Sequence, residues 1–261
     1  MRTAIYIMSC DKNNDVLNHT LLSIKKYFKE FNLNFYIGTN TITRKVDKNY
    51  TLIFSNKSSW KDESIQQISE IKKREPNLTH LIVILDDFIL NKNVDLLNLY
   101  SIINDEKLDT IKYLRLKKIE EPFLRKLLNI FLNKTKIGDL NILKIRKKHP
   151  YYFSLQIAIW DINYLLSSII SAKDIWQFEN QVPNIYDHWT LTKNLFNYKH
   201  IVEKGKWQYY AKRYCIKYIN FFEPKSRELI KDNLKNNIID YLKRIKFFMF
   251  GYIKISSKSI K

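Results

Sequence analysis

An apolar run that ends abruptly in two adjacent aspartates is the feature that most constrains the fold of this chain. Residues 81–85 are Leu-Ile-Val-Ile-Leu, and Asp86 and Asp87 follow directly. A continuous apolar run of this length is typical of a strand buried on both faces, as in a parallel sheet covered by helices. We therefore expect the acidic pair at the carboxyl end of a central strand, where open α/β sheets bind their ligands.

Strand and helix patterns alternate along the first hundred residues. Strands are predicted at residues 4–9, 34–38 and 50–54, and helices after the polar turn 10–15 and at 64–73. Apolar residues of the first helix recur at steps of three and four, which predicts one buried face; they are Leu17, Leu21, Ile24 and Phe28. The alternation favours βαβ units and a mixed, mostly parallel α/β sheet flanked by helices, a Rossmann-like arrangement.

Patterns in the second half are weaker. Short strands are predicted at residues 112–116 and 198–202, an amphipathic basic insertion at 123–136, and a strand or helix start at 206–210. Apolar and polar residues alternate over 153–160, which predicts a half-buried strand. Asp161 is placed to cap a following helix through Ile170.

The net charge of the chain points to an anionic partner. Forty-five Lys and Arg residues against 26 Asp and Glu residues give a formal charge of +19. Such an excess attracts phosphates, nucleic acids and acidic lipid surfaces. Biased residue usage over a solvated surface explains the same excess equally well, and a basic nucleic-acid-binding protein without catalytic activity is the alternative function.

Adjacent carboxylates at the end of a buried strand need a cation or hydrogen bonds to remain ionised. Mg²⁺ or Mn²⁺ meets that need and keeps other coordination positions for water and substrate phosphates. The competing interpretation is that Asp86 and Asp87 only cap the next turn. No GxxxxGK[ST], GxGxxG or GxSxG motif is present in the chain, which argues against common triphosphatases, dinucleotide enzymes and α/β-hydrolases.

Five short motifs occur in one order along residues 1–210. They are SCDK at 9–12, LDDF at 85–88, FSLQIAIW at 153–160, WQFE at 176–179 and GKW at 205–207. Together they resemble bacterial polysaccharide-biosynthesis glycosyltransferases of the GT-A type. The metal motif of that family separates its two acidic residues by one position, whereas Asp86 and Asp87 are adjacent, so which carboxylate binds metal stays open.

The resemblance implies a metal-dependent, hexosyltransferase-like enzyme that moves a sugar from a nucleotide-diphosphate sugar to a glycan or lipid-linked glycan. It implies Mn²⁺ or Mg²⁺ at Asp86 and Asp87, a nucleoside contact at Asp11, and, for an inverting enzyme, a general base at Glu179. It also implies one GT-A-like domain over residues 1–222, with a nucleotide-sugar half at 1–118 and an acceptor half at 150–210.

Side-chain chemistry adds further candidates. Ser9 and Lys12 belong to the first loop, Arg115 and Lys206 carry charge suited to a diphosphate, and Gln156 suits sugar hydroxyls. Trp176 and Trp207 offer faces on which a sugar stacks, and Trp176 with Phe178 would form an apolar wall beside Glu179. The alternative for Glu179, Arg115 and Lys206 is a surface charge, and for Trp207 a core aromatic.

The C-terminal residues 223–261 are predicted to form a basic amphipathic helical extension. Phe247, Phe248 and Phe250 lie among lysines and an arginine there. Such a segment suits the surface of an anionic membrane. We therefore expect the chain in the cytoplasm, where this segment would attach it peripherally to the inner face of the plasma membrane.

Overall fold

The fold is that of a computed structural model, in which residues 2–29, 32–41, 46–119, 135–147, 152–181, 185–203, 205–224 and 227–230 are described. In chain order its strands are β1 (Thr3–Met8), β2 (Phe35–Thr39), β3 (Tyr50–Phe54), β4 (His80–Leu85), β5 (Phe88–Leu90), β6 (Tyr113–Arg115), β7 (Thr135–Ile137), β8 (Leu140–Lys144), β9 (Ala158–Asp161), β10 (His188–Leu191), β11 (Tyr198–His200), β12 (Val202–Glu203) and β13 (Lys206–Trp207).

One large sheet organises the described part of the chain. Its nine strands lie in the order β3-β2-β1-β4-β9-β6-β10-β8-β7. Only β8 and β9 run against the common direction of the others, so the sheet is mixed and mostly parallel, as predicted. Two small antiparallel sheets, β5 with β11 and β12 with β13, accompany it.

Helices cover both faces of the large sheet. They are α1 (Asn14–Tyr27), α2 (Trp60–Arg74), α3 (Leu96–Ile103), α4 (Ile162–Ser171), α5 (Ile175–Gln181) and α6 (Ala211–Ile219). Buried side chains of α1 and α3 share one core with one face of β1, while α2 and α4 share a second core with its opposite face. A smaller third core joins α6 to β5 and β13. The α/β fold predicted from the sequence is confirmed.

Strands β1 and β4 are apolar after their first residues, Thr3 and His80, because both of their faces are covered. All six residues of β1 are buried, and so are five of the six in β4. The two strands are parallel and end in register, with Met8 opposite Leu85. Ser9 and Asp86 therefore emerge side by side at the carboxyl edge of the sheet.

Helix starts follow the capping residues of the sequence. Ser59 accepts a hydrogen bond from the amide of Asp62 at the start of α2, at 3.1 Å. Asp161 accepts one from the amide of Tyr164 at the start of α4, at 2.8 Å, which confirms the predicted cap. Each bond satisfies a backbone donor that has no partner inside its own helix.

The predicted strand over residues 153–160 is wrong in extent. Strand β9 comprises only Ala158–Asp161, and all four residues are buried. Before it, side chains rather than a neighbouring strand accept the backbone hydrogen bonds: Glu179 accepts from the amide of Leu155, and Tyr198 from that of Ile157. Residues 153–157 thus form a loop that is buried except at Gln156.

Several predictions fall outside the described residues. The basic segment 123–136 lies there except for residues 135 and 136, which begin β7. The C-terminal extension lies there except for residues 223–224 and 227–230, so its membrane role stays a prediction, as does the division of residues 1–222 into two halves. None of the described helices is long and apolar enough to cross a membrane.

Candidate functional site

A cleft of about 460 Å³ opens at the carboxyl edge of β1 and β4. Its walls come from the loops after these two strands, the first half of α2, helix α5 and two side chains from further along the chain. The lining residues are Met8, Ser9, Cys10, Lys12, Asn13, Ser58, Trp60, Glu63, Ser64, Gln67, Leu85, Asp86, Asp87, Phe88, Gln156, Ile175, Trp176, Glu179 and His200.

Two carboxylates meet this cleft immediately after β4. Asp86 is 6% exposed, and one oxygen of each carboxylate, Oδ2 of Asp86 and Oδ1 of Asp87, is buried without a hydrogen-bond partner. Burial, and then the charge of Asp87, raise the pKa of Asp86 above its usual range, while the polar side chains of Ser9 and Asn13 and the charge of Arg227 act in the opposite direction. The pair therefore favours a proton or a bound cation.

His200 faces the acidic pair from the small sheet. Antiparallel pairing of β11 with β5 places His200 opposite Phe88, directly after Asp87. Its Nε2 lies 2.5 Å from Oδ2 of Asp87. Burial lowers the pKa of His200, but the hydrogen bond and the charge of Asp87 outweigh it and raise that pKa. The pairing uses one oxygen of Asp87 and leaves Oδ1 facing no partner.

The two unpartnered carboxylate oxygens fit a hard divalent cation. Mg²⁺ is commonly bound through one or two carboxylates, with water and substrate phosphates completing its octahedron. Among the described residues there is no group of three or more His, Cys, Asp or Glu side chains that would enclose a metal by itself. Asp86 and Asp87 suit an open site, in which the substrate supplies the remaining oxygens.

Glu179 enters the same cleft from helix α5. Its Oε1 accepts a hydrogen bond from the amide of Leu155 at 3.1 Å. Burial raises the pKa of Glu179, while the bond from Leu155 and the nearby His200, Ser154 and Arg115 oppose that rise. The result is a carboxylate that is held in one orientation and is more basic than an exposed glutamate.

The two aromatic residues beside Glu179 have different positions. Trp176 lines the cleft and is 64% exposed, which places it at the rim. Phe178 is fully buried and packs on Trp60 and Phe153, at centroid distances of 5.5 and 4.6 Å. Trp176 therefore lies at the rim of the cleft, whereas Phe178 lies in the core, so the apolar wall beside Glu179 stays a prediction.

Gln156 presents an amide to the cleft in a defined orientation. The hydroxyl of Tyr198 accepts the amide hydrogen of Ile157 at 3.3 Å and donates to Oε1 of Gln156 at 2.7 Å. Because its oxygen is occupied, Gln156 directs its NH₂ group elsewhere. It suits a hydrogen-bond acceptor on a ligand, such as a sugar oxygen.

Helix α2 contributes a polar side that the sequence analysis missed. Gln67 is 1% exposed, and its Nε2, like Nε1 of Trp60, is a buried donor without an acceptor. Gly38 allows this approach, because a Cβ there would lie 2.7 Å from the carbonyl oxygen of Ser9 and would collide with Gln67. The sequence does contain a signal for this polar side, because Ser64 and Gln67 recur at helical spacing with the apolar Ile68 and Ile71.

Some predicted residues lie together in the cleft and others do not. Asp11 instead ties the first loop to the end of β2, since its Oδ1 accepts from Thr39 at 2.9 Å and from the amide of Asn40 at 3.0 Å. The cleft holds seven of the predicted residues, namely Ser9, Lys12, Asp86, Asp87, Gln156, Trp176 and Glu179.

Three further candidates lie outside the cleft lining. Arg115 is buried in β6, where its charge lowers the pKa of Glu179. Lys206 forms an exposed ion pair with Glu228 at 2.6 Å. Trp207 is fully buried in the third core and donates from Nε1 to the carbonyl of Pro224, so it is a core aromatic here.

Cys10 lines the cleft without the properties of a nucleophile. Burial, and then the charges of Asp86 and Glu63, raise the pKa of its thiol to about 11. The reactive form of cysteine is the thiolate, which such surroundings disfavour. The chemistry of this cleft therefore rests on its carboxylates.

Comparison with known proteins assigns no family to this chain. No family model matches the chain, and no curated protein matches it. Among solved structures, it is similar to a cytidylyltransferase from Leptospira borgpetersenii serovar Hardjo-bovis, at 13% identity over 97% of this chain and 98% of that one, with a TM-score of 0.44. It is also similar to A197 from STIV, at 10% identity over 78% and 87%, with a TM-score of 0.38. Likenesses this distant do not bear on function.

Proposed function

We propose that this protein is a nucleotide-sugar-dependent glycosyltransferase that acts on a glycan or lipid-linked glycan acceptor in bacterial surface polysaccharide synthesis. The observation that supports the proposal is that carboxylates enter one cleft from two different elements. Asp86 and Asp87 follow a central strand with unpartnered oxygens, and Glu179 enters alone from α5. Transfer of a sugar from a nucleotide diphosphate needs a group that stabilises the leaving diphosphate and a base that takes the proton of the acceptor hydroxyl.

In the proposed reaction the acceptor hydroxyl oxygen attacks the anomeric carbon of the donor sugar. The bond between that carbon and the diphosphate oxygen breaks, and its electron pair leaves with the nucleoside diphosphate. Glu179 takes the proton of the attacking hydroxyl, and because the attack comes from the face opposite the leaving diphosphate, the product forms with inverted configuration. Its raised pKa makes it a stronger base than an ordinary glutamate, and the amide of Leu155 fixes its direction.

The remaining side chains bind and orient the substrates. Asp86 and Asp87 would hold Mg²⁺ or Mn²⁺, which when bound neutralises charge on the departing diphosphate. Lys12 adds a positive charge on the opposite loop, Gln156 offers an amide to sugar oxygens, and Trp176 offers a face for stacking. The orphan donors of α2 would bind carbonyl or hydroxyl oxygens of the nucleoside.

A screen for metal-dependent binding of sugar nucleotides tests the proposal. Thermal unfolding is measured with UDP-, GDP- and CMP-linked sugars, each with and without Mn²⁺. A ligand present at 100 times its Kd stabilises by about 2.7 kcal/mol, which for a chain of this size raises Tm by about 5 to 10 °C. We expect such a rise for at least one donor, only with metal, in the wild type.

Matched variants make the screen specific. Asp87→Asn should abolish the metal-dependent rise while changing the unliganded Tm little, because it removes both the repulsion from Asp86 and the ion pair with His200. Asp139→Asn changes an exposed carboxylate in the β7–β8 turn and should behave as the wild type. If no sugar nucleotide stabilises the wild type in the presence of Mn²⁺, or if Asp87→Asn responds in full, the proposed function is wrong.

A further inference from the structure

Two side chains of α2 in the cleft lining carry buried donors that have no acceptor among the described residues. They are Trp60, through Nε1, and Gln67, through Nε2. Buried donors are nearly always paired in folded proteins. Two unpaired ones in the lining of one cleft therefore indicate that a ligand supplies their acceptors.

Contacts outside the cleft lining fix both donors. The hydroxyl of the fully buried Tyr6 donates to Oε1 of Gln67, so the NH₂ group is the part of this amide left for a ligand. Gln67 fits here because residue 38 is glycine, where a Cβ would lie 2.8 Å from its Cδ. The ring of Trp60 packs edge-on against Phe178, at a centroid distance of 5.5 Å.

The carboxylate of Glu63 adds an acceptor to the same side of α2. Glu63 lines the cleft, and Nδ2 of Asn40 donates to its Oε1 at 3.0 Å. Asn40 is itself fixed, since its Nδ2 lies 3.2 Å from the carbonyl of Ser55 and its Oδ1 accepts from the amide of Asp11 at 3.1 Å. No described residue donates to Oε2 of Glu63, which leaves this oxygen for a ligand.

The order of these groups along α2 matches one nucleobase. Positions 60, 63 and 67 are three and four residues apart, so they are neighbours on one face of the helix and offer a donor, an acceptor and a donor. The pairing edge of uracil carries the complementary order: a carbonyl, a ring N–H and a carbonyl. Cytosine lacks the ring N–H, and cytosine, guanine and adenine each present an amino group where uracil presents a carbonyl.

We propose that α2 recognises the base of the nucleotide and selects uracil, with Trp60 and Gln67 donating to its carbonyl oxygens and Glu63 accepting from its ring N–H. This inference rests on the proposed function and names its donor class, a uridine diphosphate sugar. The acidic pair after β4 takes no part in these contacts. Base selection can therefore be measured without metal.

Calorimetry with nucleoside monophosphates and the full-length chain tests the selection. One mismatched hydrogen bond in a buried polar site weakens binding about tenfold or more. Uridine monophosphate (UMP) should therefore bind at least about tenfold more tightly than the cytidine, guanosine and adenosine monophosphates. The 3-methyl derivative of UMP, which lacks the ring N–H, should lose as much. Equal binding of UMP and any of these four, or no binding of UMP, overturns the proposal.

Glu63→Gln should change the selectivity rather than only the affinity. Asn40 can hold the amide oxygen as it holds Oε1 of the carboxylate, which turns the NH₂ group toward the base. Cytosine has an acceptor at this ring position and uracil has a donor. The Kd of cytidine monophosphate divided by that of UMP should fall at least about tenfold. A structural role for Glu63 would weaken both nucleotides alike, and an unchanged ratio overturns the proposal.

The double variant Tyr6→Phe with Gln67→Met removes both partners of one buried bond, so neither is left unpaired. It should weaken UMP binding at least about tenfold, and unchanged binding contradicts the role of Gln67. Gln66→Met, which changes a glutamine of α2 outside the cleft lining, should bind UMP as the wild type. The methyl derivative decides on the wild type alone if the double variant does not fold. A wild type that selects UMP but is stabilised by no sugar nucleotide with Mn²⁺ contradicts the proposed function alone.

Discussion

Environment gives the carboxylates of the cleft different properties although they are the same chemical group. Asp86 is buried next to Asp87 and loses stability when both are charged. Glu179 is buried alone, with one backbone donor and with His200 and Arg115 near it. Pairs of titratable groups whose surroundings separate their pKa values are how active sites divide acid, base and binding roles.

Replacing Glu179 by glutamine tests that division. The amide oxygen of glutamine can still accept the hydrogen bond of Leu155, so the local structure should persist. We expect transfer to fall at least about a hundredfold, the usual contribution of a positioned base, with unchanged binding of sugar nucleotide and metal. The measurement is product formation by mass spectrometry beside donor binding by calorimetry.

Glu70→Gln is the matched control, because Glu70 pairs with Arg74 on the exposed side of α2. Glu70→Gln should leave transfer unchanged.

In the wild type, transfer should decline as pH falls through the raised pKa of Glu179. Full transfer by Glu179→Gln, or a product of retained configuration, would remove Glu179 as the base.

The sequence predicted the site residues whose surroundings are local. Asp86 and Asp87 were placed correctly at a strand end because five buried residues precede them in the chain. Gln67 and Trp60 were missed because their unpartnered donors become visible only when α2 lies against the ends of β1 and β2.

At the level of elements, prediction succeeded where burial is uniform. Strands β1 and β4 were predicted within one residue because most of their residues are apolar and buried. The bounds of β3 were predicted to the residue although only Ile53 of that strand is buried. It failed at 153–157, where hydrogen bonds from Glu179 and Tyr198 replace those of a strand. Such partners are set by tertiary structure, and no local pattern encodes them.

The start of α4 gives a test of stability at this scale. Asp161 caps the helix and also forms an ion pair with Lys112, at 2.7 Å. Asp161→Ala should lower the free energy of unfolding by about 1 to 2 kcal/mol, mostly through the lost cap. Urea unfolding at pH 7.5 measures the change.

Two companion variants separate the cap from the ion pair. Asp161→Asn keeps a capping oxygen, and Lys112→Met keeps the cap entirely, so each should cost less than Asp161→Ala. Donor binding should stay unchanged in all three, since Asp161 does not line the cleft. If Lys112→Met costs as much as Asp161→Ala, the ion pair rather than the cap stabilises α4.

At the level of the whole molecule, the net charge and the cleft have opposite signs. The chain carries a formal charge of +19, yet four carboxylates line the cleft against Lys12 and His200; they are Glu63, Asp86, Asp87 and Glu179. The basic excess therefore lies outside the cleft. It suits long-range attraction of anionic partners, while a diphosphate inside the cleft would need a cation to offset the carboxylates.

The pH dependence of folding stability depends on another buried group, His188. It is fully buried in β10, its Nδ1 lies 2.7 Å from the carbonyl of Tyr152, and its Nε2 lies 2.8 Å from the hydroxyl of Tyr164. These partners fit a neutral ring that donates from Nδ1 and accepts at Nε2. Burial lowers the pKa of His188 to about 4, against opposing effects of Tyr152 and Asp187.

A lowered pKa in the folded state means that the unfolded chain binds the proton more tightly. The stability from the neutral His188 is complete above the ordinary histidine pKa of about 6.5 and is lost as pH falls from there toward 4. Between pH 7.5 and 4.5 the loss of stability is about 2 kcal/mol.

Urea unfolding of the wild type and of His188→Gln at pH 7.5, 5.5 and 4.5 measures this loss. The difference between their free energies of unfolding should shrink by that amount as the pH falls. Tyr164→Phe keeps the imidazole, so it should lower stability and retain the wild-type slope. A difference between wild type and His188→Gln that is constant across this range would show that His188 does not titrate with folding.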